Sequence, residues 1–457
     1  MKKIIVFGGG SVGASVAKIL SDDGNDITLV DYDKDVLTGL QEKMDIRTVH
    51  GLASYPSIQK VADVENCDMV IAVTGSDEVN MCACHVAKTI FNVPKRIARL
   101  RANEYLRVED NFDKKFFSIN EVISPNILLT DYVKNILDHP GAFQAFDFAS
   151  GLVQALAATV VPDGPLAGKK LSEFRNHMPN VDVKVVAIFR NKKSIVPKGD
   201  TVILPGDEVF FLGTEDNMRF MSELRKSTIE KASNVMIAGG GRVGSALAKR
   251  LESIYSVKLV EKNKHIAKEV SQQLSSCVVL NNDIAEENFL KNESIEKVDY
   301  FCAVTNDDQM NILSAKLAKD MGAKKTIAIV NKSSYRNLVF KEIDIVISPE
   351  DVTIGSLLAS VRSSDIVRVH HLGFGDAEAM EIIVHGDSNT SKLVGKNILD
   401  LDLPDTIIIG ALVRDGTVIL ANKKTVINSG DHIIIFAITK KDIPKIEKMF
   451  QVSVGYF

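Results

Sequence analysis

Short apolar runs recur along the chain, each closed by glycine, proline or an acidic residue, and their lengths suit buried strands. Ile4–Phe7 runs straight into Gly8, a helix-period pattern covers Ala14–Leu20, and the next run ends on Asp31 after Ile27–Val30. Further strands are expected near Arg47–Val49, Asp68–Val73, Arg96–Leu100 and Glu121–Ile123. Strands alternating with helical stretches predict a doubly wound parallel sheet. In the usual strand order the fourth strand lies beside the first, which places Thr74 and Gly75 opposite the loop at Gly8.

The same pattern is written twice. IIVFGGGSVGASVAKIL near the start is answered by VMIAGGGRVGSALAKRL, with Gly239 standing 231 residues beyond Gly8. ITLVD at Ile27–Asp31 is answered by VKLVE at Val257–Glu261, VTGSDEVNM at Val73–Met81 by VTNDDQMNI at Val304–Ile312, and VISP occurs at Val122–Pro125 and again at Val346–Pro349. Beyond each VISP the pattern changes to short β-rich stretches broken by Gly and Pro, with LAGKKL at Leu166 answered by LVGKNI at Leu393 and VILPGDEVFFL at Val202 by VINSGDHIIIF at Val426. Each half is therefore a larger α/β part followed by a smaller α+β part. Residues 125–139 and 349–363 open on Pro and continue in helical period, as helices connecting the two parts would. The polar stretch Glu223–Ser233 reads as the junction between halves.

Length agrees with this doubling, since 457 residues exceed a single small module. Hydrophobic residues at 45% and charged residues at 25% give ample material for large cores and exclude disorder as the main state. The longest apolar runs, Ile407–Val413 and Ile433–Ile438, are far below the ~18 residues that a membrane span needs. They read as buried strands. MKKIIVFGGG is too short and too glycine-broken for a signal-peptide core, so a cytoplasmic protein is expected. A net charge of -4 offers no bulk attraction to nucleic acid or anionic lipid. Cys67, Cys82, Cys84, Cys277 and Cys302 form an odd set without paired spacing, which suits reduced thiols.

The glycine loops carry the candidate chemistry. Strand, Gly8-x-Gly10-x-x-Gly13, helix, strand and a terminal acid at Asp31 is the dinucleotide fingerprint in its proper context. Gly8 permits a tight turn, Gly10 lets backbone N–H groups approach a pyrophosphate, and Gly13 lets helix and strand close. Phosphates would lie on the helix N-terminus, where free amides and the dipole favour anions. The Asp31 carboxylate would accept from ribose hydroxyls and repel a 2′-phosphate, which favours NAD over NADP. Glu261 takes that place in the second half, with Gly239, Gly241 and Gly244 in its loop and Thr305 and Asn306 at its fourth strand. Arg99 and Arg101, after the apolar centre of the fifth strand, could reach phosphate oxygens. The second half has Ile329 and Asn331 there and has lost that charge.

Other motifs are read as structural. Gly164-x-x-x-Gly168-Lys169-Lys170 has one residue too few for a phosphate loop and lacks the Ser/Thr after Lys. Cys82-Ala-Cys84-His85, on an expected helix, fits no zinc spacing and is assigned to packing. His370 and His371 would point to opposite faces of a strand. A dehydrogenase needs a proton-transfer group over the nicotinamide, and no histidine recurs between the halves, so an NAD-dependent oxidoreductase is the rival reading, favoured only by the fingerprint. A nucleotide-sensing transcription factor would need a helix-turn-helix or basic recognition segment.

Taken together, the two GGGxVG loops with their acids, the VTGSDEVN and VTNDDQMN pair, the VISP ends and the Gly-Lys and Gly-Asp turns resemble the TrkA family over essentially the full length. These tandem RCK/KTN proteins are cytosolic regulatory subunits of bacterial Trk potassium uptake systems. The resemblance implies two Rossmann-like RCK N-terminal domains (1–124 and 232–348), connecting helices (125–142 and 349–366) and small α+β RCK C-terminal domains (143–227 and 367–453). It further implies a non-enzymatic tetrameric ring held at the inner face of the membrane by a potassium-translocating subunit of the TrkH/TrkG type. NAD or NADH, and adenine nucleotides such as ATP or ADP, would change the ring's shape. The implied nucleotide contacts fall on Gly8, Gly9, Gly10, Ser11, Val12, Gly13, Asp31, Thr74, Gly75 and Arg99, and in the second half on Gly239, Gly240, Gly241, Arg242, Val243, Gly244, Glu261 and Thr305. Two departures stand out: Gly51-Leu52-Ala53 carries Leu where many members have an acid, and the second half reads Asn281-Asn282-Asp283.

Overall fold

The computed structural model describes residues 1–106, 118–173, 182–218, 233–332, 334–335, 338, 342–362, 365–373 and 377–450. Residues 223–232 of the expected junction lie outside the described residues. The chain groups into two compact units, residues 1–128 with 350–362 and residues 129–349 with 363–457.

In the first unit six strands form one parallel sheet: β1 (Lys3–Phe7), β2 (Asp26–Asp31), β3 (Arg47–His50), β4 (Met69–Ala72), β5 (Lys95–Arg99) and β6 (Glu121–Ile123). Their order is β3-β2-β1-β4-β5-β6, so the chain reverses direction across the sheet between β1 and β4. The central strands are apolar without alternation because helices cover both faces. Ile4, Val6, Leu29 and Ile71 enter one core with Val16 and Leu20 of helix Ser11–Asp22, while Ile5, Phe7, Val70 and Ala72 enter the other with Ala83 and Cys84 of helix Asp77–Thr89. Each fully buried side chain of this size contributes roughly 1.5–3 kcal/mol. The first helix begins at Ser11, ahead of the Ala14 that periodicity indicates, because Gly10 holds the extended N-cap conformation and Gly13 sits inside the first turn.

The connecting helix of the second half, Pro349–Val361, completes that first core. Its Ile354, Leu357, Leu358 and Val361 pack among Val16, Leu20 and Ile123. The Lys2 ammonium donates to the carbonyls of Val361 (2.9 Å) and Arg362 (3.1 Å), a cation on the helix's negative end. Arg362 at the same end pairs with Asp23 at 3.3 Å, and at the other end Ser15 Oγ donates to Glu350 Oε1 at 2.6 Å.

The second unit contains two antiparallel sheets and the second parallel one. β7 (Gln144–Phe148), β8 (Val153–Thr159), β9 (Lys184–Arg190), β10 (Lys193–Ile195) and β11 (Glu208–Gly213) run in the order β10-β9-β11-β8-β7. β12 (Asn234–Ala238), β13 (Ser256–Val260), β14 (Val278–Leu280), β15 (Tyr300–Ala303), β16 (Lys325–Ile329) and β17 (Ile345–Ile347) repeat the first sheet as β14-β13-β12-β15-β16-β17, again all parallel. β18 (Ile366–Leu372), β19 (Ala377–Ile383), β20 (Ile407–Arg414), β21 (Thr417–Leu420) and β22 (His432–Ala437) follow as β18-β19-β22-β20-β21. The two antiparallel sheets share one core built from Phe146, Phe148, Phe189, Phe210, Leu372 and Phe436. Connecting helix Pro125–Asp138 buries Leu129, Val133, Ile136 and Leu137. It meets the second parallel domain through Tyr255 Oη, which donates to Asp138 Oδ1 at 2.9 Å, and through Arg250 with Asp131 at 3.5 Å. Each half thus lends its connecting helix to the other half's parallel domain.

The repeated small turns have structural duties. Asp207 accepts from Arg190 Nε and Nη2, both at 2.7 Å, and from the Leu204 N–H at 2.8 Å. Asp431 does the same with Arg414 and Asn428. The Gly-Lys turns close through Gly168 N–H to the Ile203 carbonyl and Gly395 N–H to the Ile427 carbonyl, each at 2.8 Å. Among the described residues no helix is long and apolar enough to cross a membrane.

Candidate functional site

Two close approaches fix the loop after β1. Gly8 holds φ +109°, and a Cβ there would stand 2.9 Å from the Thr74 backbone, while a Cβ on Gly13 would stand 1.9 Å from the Gly8 carbonyl oxygen. Only glycine permits either. A Cβ on Gly10, by contrast, meets nothing within 4 Å, so this residue faces open space where a ligand can approach the backbone. The helix starting at Ser11 has no side-chain cap and no acid in its first turn. The helices after β2 and β4, by contrast, are capped by Asp33 and Ser76. Its first N–H groups lack intrahelical acceptors and are left for an external anion.

The acid at the end of β2 is held from both sides. Gly9 N–H donates to Asp31 Oδ2 at 2.5 Å and Asp33 N–H to Oδ1 at 2.8 Å, which leaves the remaining lone pairs directed outward for hydroxyl donors. Gly9 therefore orients the acid, and its N–H is not one of those left for phosphate.

Across the cleft, the buried Asn80 ties the strand ends together. Its Oδ1 accepts from Thr74 N–H (2.9 Å) and Thr74 Oγ1 (2.7 Å), and its Nδ2 donates to the Arg99 carbonyl at 2.9 Å. Arg99 Nη2 donates to the Thr74 carbonyl at 2.9 Å, and Arg101 Nη2 bonds the Gly75 carbonyl. Arg99 Nε is buried without a hydrogen-bond partner. Burial, with Arg101 alongside, pushes the Arg99 guanidinium down to about 10, still charged at neutral pH. Asp77 accepts from the N–H groups of Arg101 and Ala102, both at 2.8 Å, and so positions this arginine strand end.

These elements enclose a cleft of about 620 Å³ that brings Gly8, Gly10, Ser11, Val12, Asp31, Thr74, Gly75, Arg99 and Arg101 together. Size, bare helix terminus, outward carboxylate and an under-satisfied buried guanidinium fit a phosphate-containing ribonucleotide. Asn80 and Asp77 were not singled out in the sequence. The signal was present, since the final Asn of VTGSDEVN recurs as Asn311 in VTNDDQMN.

The second half repeats the scaffold. A Cβ on Gly244 would stand 1.8 Å from the Gly239 carbonyl, and Gly240 and Asn263 N–H groups donate to Glu261, both at 2.7 Å. The helix at Arg242 is uncapped, and Asn311 accepts from Thr305 N–H (2.8 Å) and Oγ1 (2.7 Å). The differences lie at both flanks. Ile329 is buried where Arg99 stands, and Lys262 pairs with Asp283 at 2.7 Å beyond the acid.

One expectation is corrected. In Cys82-Ala-Cys84-His85 Ala83 and Cys84 are the packing residues, buried at the helix–sheet core with the Cys84 thiol pushed up to about 12 by desolvation; Cys82 and His85 lie on the solvent side of the helix. His370 stacks on Phe146 with ring centroids 4.6 Å apart, and burial pushes it down to about 3, so it stays neutral. His371 lies 3.5 Å from the buried Glu378 carboxylate. Among the described residues no cluster of three or more His, Cys, Asp or Glu is placed to hold a metal ion.

Fold and cleft define a tandem protein in which each Rossmann-like parallel domain is followed by a small antiparallel one. Residues 4–125 and 235–349 match the TrkA-N domain model, and residues 156–225 and 388–451 match the TrkA-C domain model. The chain belongs to the TrkA family. It is 47% identical over 458 residues to the "Trk system potassium uptake protein TrkA" of Halomonas elongata, covering 100% of both chains. To the protein of the same name from Vibrio alginolyticus it is 44% identical over 455 residues, 99% of each. Among solved structures it is similar to the "GsuK RCK domain", with a TM-score of 0.61 at 18% identity, over 98% of this chain and 95% of that one. The "GsuK channel bound to NAD" gives 0.59 at 17% identity over 98% and 79%. Likeness at that identity speaks for the fold, and it agrees with the expected Rossmann-like and antiparallel repeat.

Proposed function

We propose that this chain is the nucleotide-sensing regulatory subunit of a potassium uptake system and not an enzyme. Its full-length similarity to proteins named for Trk potassium uptake supports the system. The observation that carries the sensing is the first cleft, where a bare helix terminus, the outward Asp31 carboxylate and Arg99 converge. NAD or NADH would lie with its pyrophosphate on the Ser11 and Val12 amides and its adenosine ribose on Asp31. ATP or ADP offers the same ribose and phosphate chemistry to the same groups. Glu261 and the uncapped helix at Arg242 would hold a second nucleotide with less positive charge, because Ile329 replaces the arginine.

Ligand would act by preferring one arrangement of a tetrameric cytosolic ring, docked to a membrane subunit of the TrkH/TrkG type, over another. A preference of roughly 1–3 kcal/mol moves a gate equilibrium about 5- to 150-fold. The test is potassium flux in vesicles carrying the membrane subunit and this protein. Asp31→Ala should abolish both nucleotide binding at the first cleft and the nucleotide dependence of flux. Loss of binding with nucleotide-dependent flux intact would sink the mechanism, and sustained NADH turnover by the purified protein would sink the non-enzymatic reading.

A further inference from the structure

The two antiparallel sheets share one core, and each carries a titratable side chain at its rim. Glu208 of β11 and His432 of β22 hold the same place in the repeat, directly after Asp207 and Asp431 of the Gly-Asp turns. Strand alternation puts Glu208 on the face of Phe210 and Leu212, and His432 on the face of Ile434 and Phe436, all four of which belong to the shared core.

At each rim a β-turn of the opposite half is seated. The turn between β7 and β8 brings the Ala149 N–H to Glu381 Oε2 at 2.9 Å, and His432 Nδ1 lies 2.7 Å from Oε1 of the same carboxylate. Glu381 is 1% exposed and Ala149 holds φ +47°, so a buried acid of the second half grips a strained turn of the first. At the other rim Gly373, which follows β18, lies against Phe189, where a Cβ would stand 3.0 Å from the ring. Phe189 is the strand neighbour of Glu208, and Ala157 takes there the place that Glu381 has in the second half. Burial pushes the Glu208 carboxyl up to about 7, against a smaller opposing effect of Lys192.

The other charged groups near these rims, among the described residues, are committed elsewhere. Arg190 and Arg414 clasp Asp207 and Asp431. Arg368, opposite Glu381 on β18, donates to the Asp147 carbonyl at 2.9 Å, and the Asp147 carboxylate takes Asn135 and Gln154. His370 stays neutral, and the His371 and Glu378 pair lies on the other face of its strands.

We propose that the seating of the two antiparallel domains on each other is proton-sensitive, with Glu208 and His432 as its two sensing groups acting in the same direction. With a proton on each, Glu208 is neutral at an apolar rim and His432 is a cation making a charge-assisted bond to the buried Glu381. Loss of both protons leaves a bare carboxylate beside Phe189 and only a neutral donor on Glu381. Histidine is the side chain whose charge ordinarily changes between about pH 5 and 8, and Glu208 loses its proton through about 7. The contact therefore loosens as pH rises through neutrality. This response needs no nucleotide in either cleft and gives the chain a second input.

The experiment is hydrogen–deuterium exchange of the full chain without ligand, read by mass spectrometry at about pH 6 and about pH 8 and corrected for the chemical exchange rate. Protection of residues 148–153 and of residues 368–373 should each fall by about tenfold or more at the higher pH, the effect of one pK unit of coupling. Strand β1 should keep its protection. His432→Gln should flatten the response of residues 148–153 alone, and Glu208→Gln that of residues 368–373 alone. Equal protection of both turns at the two pH values in the parent overturns the proposal without any variant. So does parent-like pH dependence in both variants, or a loss shared equally by β1, which would mark global unfolding.

Discussion

Arg99 Nη2 donates to the Thr74 carbonyl at 2.9 Å, so the guanidinium lies against the backbone of the strand end that faces the glycine loop. Its Nε is buried without a partner in the same place. The arginine is held at the cleft beside the glycine loop and is not saturated there. Arg99→Ile, which copies the residue of the second half, should weaken NADH at the first cleft by about tenfold, with a flatter dependence on salt. Calorimetry at two salt concentrations measures both; an unchanged affinity would show that Arg99 is only a strand clamp.

The glycines of one loop should separate stability from binding. A Cβ at position 13 would overlap the Gly8 carbonyl, so Gly13→Ala should lower stability by roughly 3 kcal/mol, seen as a fall in melting temperature. Gly10 has φ −63° and open space around its Cβ direction. Gly10→Ala should therefore melt like the parent and bind NADH poorly, because the methyl group stands where the pyrophosphate approaches. Equal melting temperatures for both variants would contradict the geometry.

Asp31 should set the choice between the two nicotinamide dinucleotides. Its carboxylate is fixed by Gly9 and Asp33 and would meet a 2′-phosphate as a like charge. NADPH should bind the parent far more weakly than NADH. In Asp31→Ser the gap should narrow from both sides, with NADH losing and NADPH gaining, as read by nicotinamide fluorescence. NADPH binding equal to NADH in the parent would refute the assignment of the ribose to this residue.

Glu208 gives a pH dependence with a defined sign. Burial pushes its carboxyl up to about 7, against a smaller opposing effect of Lys192. In the window from the ordinary carboxyl value to about 7 the folded protein holds a proton that the unfolded chain has released. Stability from this group is fully present below that window and is lost as pH rises through about 7. Glu208→Gln should gain melting temperature relative to the parent at pH 8 and show little difference at pH 4. A constant difference across that range would show that the group titrates normally.

The parallel sheets and glycine loops were legible in the sequence because their demands are local. A backbone that passes 1.9 Å from a would-be Cβ tolerates one residue type, and the motif states it twice, at Gly13 and Gly244. The acids at Asp31 and Glu261 follow at fixed reach from the same loops. Asn80 and Asn311 were harder to see, since a buried amide reads as an ordinary helix residue until the strand ends it joins are placed. The Gly-Asp turns were visible as repeats, but their Asp207 and Asp431 clasp arginines 17 residues away, Arg190 and Arg414, which no short motif includes. Helix Pro349–Val361 is apolar nearly all round, so its sequence announces burial without naming the partner. The contacts of Ile354, Leu357 and Val361 in the first core, with those of Glu350 and Arg362 to Ser15 and Asp23, reveal where it goes.

That exchange of helices makes the gene's doubling hard to undo. A fragment ending near the midpoint would keep a first sheet stripped of Ile354, Leu357, Leu358 and Val361, and would lose the contacts of Asp131 and Asp138 with Arg250 and Tyr255. A half-length chain could satisfy both surfaces only by trading helices with a second copy of itself. Fusion of two such copies turns a concentration-dependent partnership into a permanent one, after which the residues around each glycine loop are free to diverge, as Arg99 and Ile329 have.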